Sequence, residues 1–133
     1  MATVPLVSDE EACDAVKAVF EDIRITRGTD YVNNFWRALA VDPAQLGSVW
    51  AEVKAVMTSP GELDPLTREM IYIAVSTANS CAYCAHSHTA AARAKGMTTG
   101  QYRELLAVIA LAARTNHLAN ALQIPVDGVF DLN

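Results

Sequence analysis

The sequence has no cluster of lysine or arginine: its ten basic side chains are outnumbered by fifteen acidic ones, for a net charge of −5. A nucleic-acid partner is therefore not expected, because phosphate neutralisation needs a basic stripe or patch. It also has no long apolar run. The longest wholly apolar stretch, Leu105 to Ala113, falls far short of the ~20 residues a bilayer-spanning helix needs. Met1 to Glu10 is mildly acidic and does not read as a basic-then-apolar leader, so a cytoplasmic location and no membrane partner are expected. No repeat, linker or low-complexity stretch stands out, and no segment has the two-residue alternation or hairpin turn of a strand. Cysteine is scarce: there are three, two of them in a C-x-x-C pair. In a reducing compartment that spacing points to redox or metal chemistry before a structural staple.

What is present is apolar. The 133 residues are 52% hydrophobic and 19% charged, which excludes a disordered chain and predicts a single domain over residues 1–133. The apolar share is high for so short a chain, and the excess is read as a buried interface between subunits, hence a homo-oligomer.

Punctuation divides the chain into helices. Ser8-Asp9-Glu10-Glu11 has the pattern of a capping box. Ala12, Val16, Val19, Phe20 and Ile23 then share one helical face, and Gly28 ends the run. A second helix is predicted from Tyr31 to Ala40. Asp42-Pro43 gives an N-cap with proline at the first helical position, for a third helix to about Met57. Ser59-Pro60-Gly61 breaks the chain, and Asp64-Pro65 repeats the start signal for a helix through Glu69, Ile73 and Thr77. Asn79 or Ser80 can cap a fifth helix that begins with the cysteines and stops at Gly96. Thr98 to Gln101 is a capping box that opens a long apolar helix to about Leu122, before Pro125. The tail from Val126 to Asn133 reads as irregular. The fold class is all-α, with about six helices.

Chemistry concentrates on the fifth helix. Cys81, Cys84 and His88 are spaced by three and four residues, so at 3.6 residues per turn they share one stripe. The cysteines fall in the first turn, where unpaired N–H groups and the helix dipole favour a thiolate and can lower a thiol pKa well below ~8.5. His88, four residues after Cys84, can reach that thiol directly or through one water and act as its general base. Glu69, on the preceding helix, is the candidate to orient His88 if the two helices pair antiparallel. Such a set can run a three-step cycle. A thiolate attacks a peroxide and becomes a sulfenic acid, the second cysteine condenses with it to a disulfide, and an external dithiol reduces the disulfide. No metal, flavin or other cofactor is needed.

The pattern Glu69, Cys81-Ala82-Tyr83-Cys84, His88 (E-x11-C-x-x-C-x3-H) resembles the alkylhydroperoxidase D-like branch of the carboxymuconolactone decarboxylase superfamily. Leu63 to Glu69 looks like the family's approach to its glutamate, and Thr89 to Gly96 like its continuation after the histidine. Asn34 to Ala40 and Asp42-Pro43 resemble its upstream helices. The likeness covers about Thr29 to Leu122. It implies an all-helical fold assembled as trimers or hexamers, and an alkylhydroperoxidase-type peroxidase with Glu69, His88 and both cysteines as the proton relay. By that resemblance Cys84 attacks the peroxide, Cys81 resolves, and the two form a redox-active disulfide. The substrate would be hydrogen peroxide or an organic hydroperoxide, and the reductant a lipoyl protein or a thioredoxin-like partner. The founding peroxidases carry a second histidine between the cysteines. Here Tyr83 stands in that place, and a phenol of pKa about 10 is a poorer proton carrier near neutrality. The decarboxylase branch lacks the cysteine pair, which argues against lactone decarboxylation.

Other readings of the same residues are a disulfide reductase or thiol-exchange protein, and a non-enzymatic redox-sensing oligomer. A zinc site could draw on Cys81, Cys84 and His88 with His86 or Glu69. His86, however, lies on roughly the opposite helix face, and structural zinc usually takes four ligands from two separated knuckles. Cys13 is expected as a small core residue, and Trp36, Trp50, Tyr72 and Phe35 as core or interface. His86 reads as a surface or interface residue and His117 as an interface histidine.

Overall fold

Residues 1–130 are described by the computed structural model. Among them the chain is all-helical, with α1 at Asp14–Arg27, α2 at Asn34–Leu39, α3 at Pro43–Thr58, α4 at Pro65–Ala78, α5 at Ala82–Ala94 and α6 at Thr99–Ala121. A 3₁₀ turn at Gly128–Phe130 interrupts the tail that sequence alone reads as irregular, and the last three residues of that expectation lie outside the described residues. No described helix is long and apolar enough to cross a membrane. The chain divides into two compact units, Met1–Gly61 and Glu62–Asn133.

In the first unit, α1 begins later than its capping box suggests. The reciprocal bonds form, with Ser8 N donating to Glu11 Oε2 at 3.1 Å and Glu11 N to Ser8 Oγ at 3.3 Å. They close a separate turn, because the backbone is extended at Cys13 (φ −70°, ψ 167°), which caps α1. Tertiary bonds hold the preceding segment: Arg37 Nη1 donates to the Val7 carbonyl at 2.9 Å and Arg24 Nη2 to Asp9 Oδ2 at 2.7 Å. Cys13 is therefore exposed rather than in the core, while Ala12 and Val16 are buried beside it. The second helix is shorter than predicted, starting at Asn34 instead of Tyr31, since Val32 enters the core from non-helical backbone. The core joins Val16, Phe20 and Ile23 of α1 to Trp36 of α2 and to Leu46 and Trp50 of α3. Trp36 and Trp50 meet edge to face at 5.3 Å, and the Trp50 indole N–H donates to Asp22 Oδ2 at 2.7 Å. Burying each of the large aliphatic or aromatic side chains is worth ~1.5–3 kcal/mol.

In the second unit, α4 and α5 form an antiparallel hairpin. Asp64 caps α4, accepting from Thr67 N at 2.9 Å, with Pro65 in its first turn. The capping box of α6 forms with both of its arms. Ile73 of α4, Ala92 of α5 and Met97 make a small core, with Leu66, Met70, Tyr102, Leu105 and Ile109 packed partly against it. No residue of α6 is buried, and its Leu106, Val108, Leu111 and Leu118 are exposed.

The connection between α4 and α5 decides where the cysteines go. Ser80 adopts the left-handed region (φ 57°), Ser80 N donates to Thr77 O at 3.1 Å and Cys81 N to Ser76 O at 2.9 Å. This is the paired bond pattern of a Schellman C-cap. Gly28 after α1, Gly96 after α5 and Gln123 after α6 make the same pair of bonds at positive φ. Cys81 thus closes α4 with its N–H and opens α5 with its side chain.

Candidate active site

The predicted cap for α5, Asn79 or Ser80, is corrected to Cys81 itself: its Sγ accepts the Cys84 N–H at 3.2 Å. Cys81 therefore sits at the N-cap, just ahead of the first turn in which the sequence places it. A C-x-x-C at this point lets one sulfur take the orphan N–H of the first turn while remaining close to the other. The two cysteines are joined as a disulfide with a Cα–Cα distance of 5.3 Å, and both are half-buried.

From Cys84 the inward stripe of α5 continues through His88 and Ala92 and reaches Lys95 at the C-cap. Facing it on α4 are Glu69, Tyr72, Ile73 and Ser76, of which Glu69, Ile73 and Ser76 are buried. The antiparallel hairpin brings Glu69 against His88, Nδ1 to Oε2, at 2.7 Å. The other oxygen of Glu69, Oε1, accepts from Lys95 Nζ at 3.0 Å. The Tyr72 ring lies over the His88 ring, 3.6 Å between centroids and 20° from parallel. The Glu69 side chain is 7% exposed and that of His88 19%.

Burial alone would push the Glu69 carboxyl up. The hydrogen bonds and charges of His88 and Lys95 outweigh it and hold the group below the ordinary glutamate value of 4.5. Glu69 is thus an acceptor near neutrality, and its bond to His88 requires the proton on Nδ1. In the neutral ring the lone pair then lies on Nε2. That nitrogen makes no hydrogen bond among the described residues, and no buried side-chain nitrogen or oxygen there lacks a partner, so Nε2 reaches the surface. A fixed ring with an accessible basic nitrogen can receive or deliver a proton. The structure brings Glu69 and His88 together on the hairpin that also carries the disulfide, and no hydrogen bond links His88 to either sulfur.

The other candidates lie apart from this contact. Tyr83, between the cysteines, is exposed at 45%, and His86 and His117 are exposed. Two residues in contact with the site were not singled out by sequence. Tyr72 reads as core or interface, yet its position three after Glu69 puts it on the same face. Lys95 reads as a helix end, yet it lies seven residues, two turns, after His88.

The profile described as "Carboxymuconolactone decarboxylase family" matches residues 44–127, which include Glu69, both hairpin cysteines, His88 and Lys95. The chain belongs to the carboxymuconolactone decarboxylase family. Within it, the chain is AhpD-like: it is similar to the alkylhydroperoxidase AhpD core of Rhodospirillum rubrum, known from a crystal structure. The two are 65% identical with a TM-score of 0.98, over 100% of this chain and 99% of that one. No curated protein matches the chain. The AhpD-like family fits a peroxidase-type role, although its family also takes its name from decarboxylases.

Proposed function

We propose that this AhpD-like chain is a thiol-dependent peroxidase that reduces hydrogen peroxide or small organic hydroperoxides with electrons from an external dithiol. The observation that carries the reading is the 2.7 Å bond from buried Glu69 to His88, on the same hairpin as the Cys81–Cys84 disulfide.

The cycle starts from the reduced pair. His88 takes the Cys84 thiol proton on Nε2, directly or through one water, while Glu69 holds Nδ1–H and stabilises the imidazolium. The Cys84 thiolate attacks the nearer peroxide oxygen. The O–O bond breaks, Cys84 becomes a sulfenic acid, and the departing alkoxide or hydroxide takes the proton from His88. The Cys81 thiolate then attacks the Cys84 sulfur. The S–O bond breaks, water leaves after protonation, and the disulfide forms. A dithiol of the lipoyl or thioredoxin-like class returns two electrons and two protons by exchange. Cys81, whose sulfur accepts the Cys84 N–H at the helix start, is the better leaving thiolate in that last step. In this reading the chain works as a homo-oligomer, a trimer or hexamer in a cytoplasmic setting, and the exposed apolar residues of α6 are its subunit contact. The enzyme is read as one domain over residues 1–133.

The test is peroxide consumption coupled to a supplied dithiol reductant. Turnover is expected in the native protein, abolished in both Cys81→Ser and Cys84→Ser and reduced at least tenfold in His88→Ala. Dithiol-disulfide exchange without peroxide consumption would replace this reading with that of a thiol-exchange protein. The exposed Tyr83, in the place of the founding peroxidases' second histidine, is the observation that favours the latter.

A further inference from the structure

The Glu69 carboxylate has two oxygens and two partners. His88 takes Oε2 at 2.7 Å and Lys95 takes Oε1 at 3.0 Å. The site's proposed role accounts for the first contact and leaves the second without a use. A lysine–carboxylate pair on an open surface would deserve no reading, since such pairs contribute little. This one is lopsided: the lysine is 38% exposed at its side chain and the carboxylate 7%. Lys95 reaches in from the α5 C-cap, and the backbone turns away immediately after it, at Gly96 with φ 93°.

We propose that Lys95 is a positioning residue of the relay, whose ammonium keeps the buried Glu69 carboxylate charged and turned toward His88. The proposal deepens the peroxidase reading and rests on it for its kinetic consequence. Its physical basis is a charge count. The Lys95 ammonium and the Glu69 carboxylate sum to zero, so the buried carboxylate keeps its charge without drawing a proton. Without the ammonium, the buried carboxylate is left with the His88 hydrogen bond alone, and protonation of Glu69 becomes easier. A protonated Glu69 no longer accepts from His88 Nδ1, and the ring loses the partner that orients it.

The groups around the pair leave Lys95 as the cation in contact with Glu69. From α4 come Glu69 itself and Tyr72, stacked on His88. From α5 come His88 and the joined cysteines. Packed on the neighbouring core from α6 is Tyr102, whose ring lies 5.3 Å from the Arg93 guanidinium.

The experiment compares the native protein with Lys95→Met and Lys95→Arg. The first readout is the titration of the Glu69 carboxyl followed by carbon NMR, which does not depend on turnover. The second is the pH profile of kcat/KM for hydrogen peroxide. In Lys95→Met the Glu69 midpoint should rise by about one pH unit or more, and the acid side of the profile should move up with it. Lys95→Arg should restore both. An unmoved Glu69 midpoint in folded Lys95→Met, or Lys95→Arg behaving like Lys95→Met, would overturn the proposal. Should Lys95→Met not fold, Glu69→Gln is compared with Glu69→Gln/Lys95→Met, which leaves no carboxylate for the lysine to act through. Those two profiles should coincide, and a difference between them would also overturn it. If the native protein consumes no peroxide, the peroxidase reading fails while the NMR titration still decides the role of Lys95.

Discussion

The two units of the chain are built from similar helices and hold themselves together differently. The first, Met1–Gly61, has an interior of Phe20, Ile23, Leu46, Trp36 and Trp50, with polar groups confined to its margins. The second, from Glu62 onward, has a smaller apolar core around Ile73, Ala92 and Met97. Next to that core it buries a carboxylate, and it leaves Leu106, Val108, Leu111 and Leu118 of α6 exposed. Burying a charge is unfavourable unless it is paired and hydrogen-bonded, and Glu69 meets that condition through His88 and Lys95. The contrast separates an interior held by packing alone from one that also holds a paired charge. An apolar interior stabilises without regard to pH, whereas an interior with an ion network ties stability to protonation.

The largest test of this contrast is in the first unit. Phe20 is inaccessible to solvent, so Phe20→Ala should cost about 3–5 kcal/mol through lost burial and an unfilled cavity. Urea denaturation should show that loss at pH 5 and pH 7 alike. A cost below about 1 kcal/mol would mean that the first unit is not packed as described.

Glu69→Gln is the counterpart in the second unit. Losing charge-assisted hydrogen bonds of this type costs about 1.5–3 kcal/mol at neutral pH. The effect should depend on pH, with a sign that follows from the carboxyl. Its folded-state value is held below the ordinary 4.5. Ionised Glu69 therefore favours the native state above that ordinary value, and the contribution fades as pH falls through the lowered one. The stability difference between native protein and Glu69→Gln should shrink on acidification, while the Phe20→Ala difference does not. A pH-independent difference for Glu69→Gln would remove the contrast between the units.

Much of both units was legible in the sequence, and the failures have common causes. Asp42-Pro43, Asp64-Pro65 and Thr98 to Gln101 marked their helix starts because side-chain caps and N1 prolines are local devices. Gly28 and Gly96 marked two ends for the same reason. Ser8 to Glu11 misled because the box is local but the helix it would start is not: Arg24 and Arg37 hold that segment in another path. The pairing of Glu69 with His88 was foreseen as a consequence of an antiparallel hairpin. Lys95 and Tyr72 were not, because their partners lie 26 and 16 residues away in sequence and only the helix pairing sets them opposite each other. The exposed Cys13 shows the same limit: α1 starts at Asp14 rather than directly after Ser8, which leaves Cys13 on extended backbone ahead of the helix.

The smallest expected effect probes the joint between α4 and α5. Ser80 holds a left-handed conformation, φ 57°, without being glycine, at a corner where Gly28 and Gly96 serve elsewhere. A side chain in that region is strained by roughly 1–2 kcal/mol, and glycine relieves this while making the unfolded chain more flexible. The net expectation for Ser80→Gly is a gain of about 0.5–1 kcal/mol in thermal or urea unfolding. The same corner fixes where Cys81 stands, because Cys81 N is held by Ser76 O while Cys81 Sγ caps α5. Glycine preserves those bonds and loosens the backbone in the reduced, unconstrained protein. If the strain serves only to close the turn, the disulfide's reduction equilibrium should stay unchanged as stability rises. If it also sets the separation of the two sulfurs, Ser80→Gly should make the disulfide easier to reduce. A stabilised variant with a shifted thiol–disulfide equilibrium would then place Ser80 among the residues that tune the chemistry of the second unit.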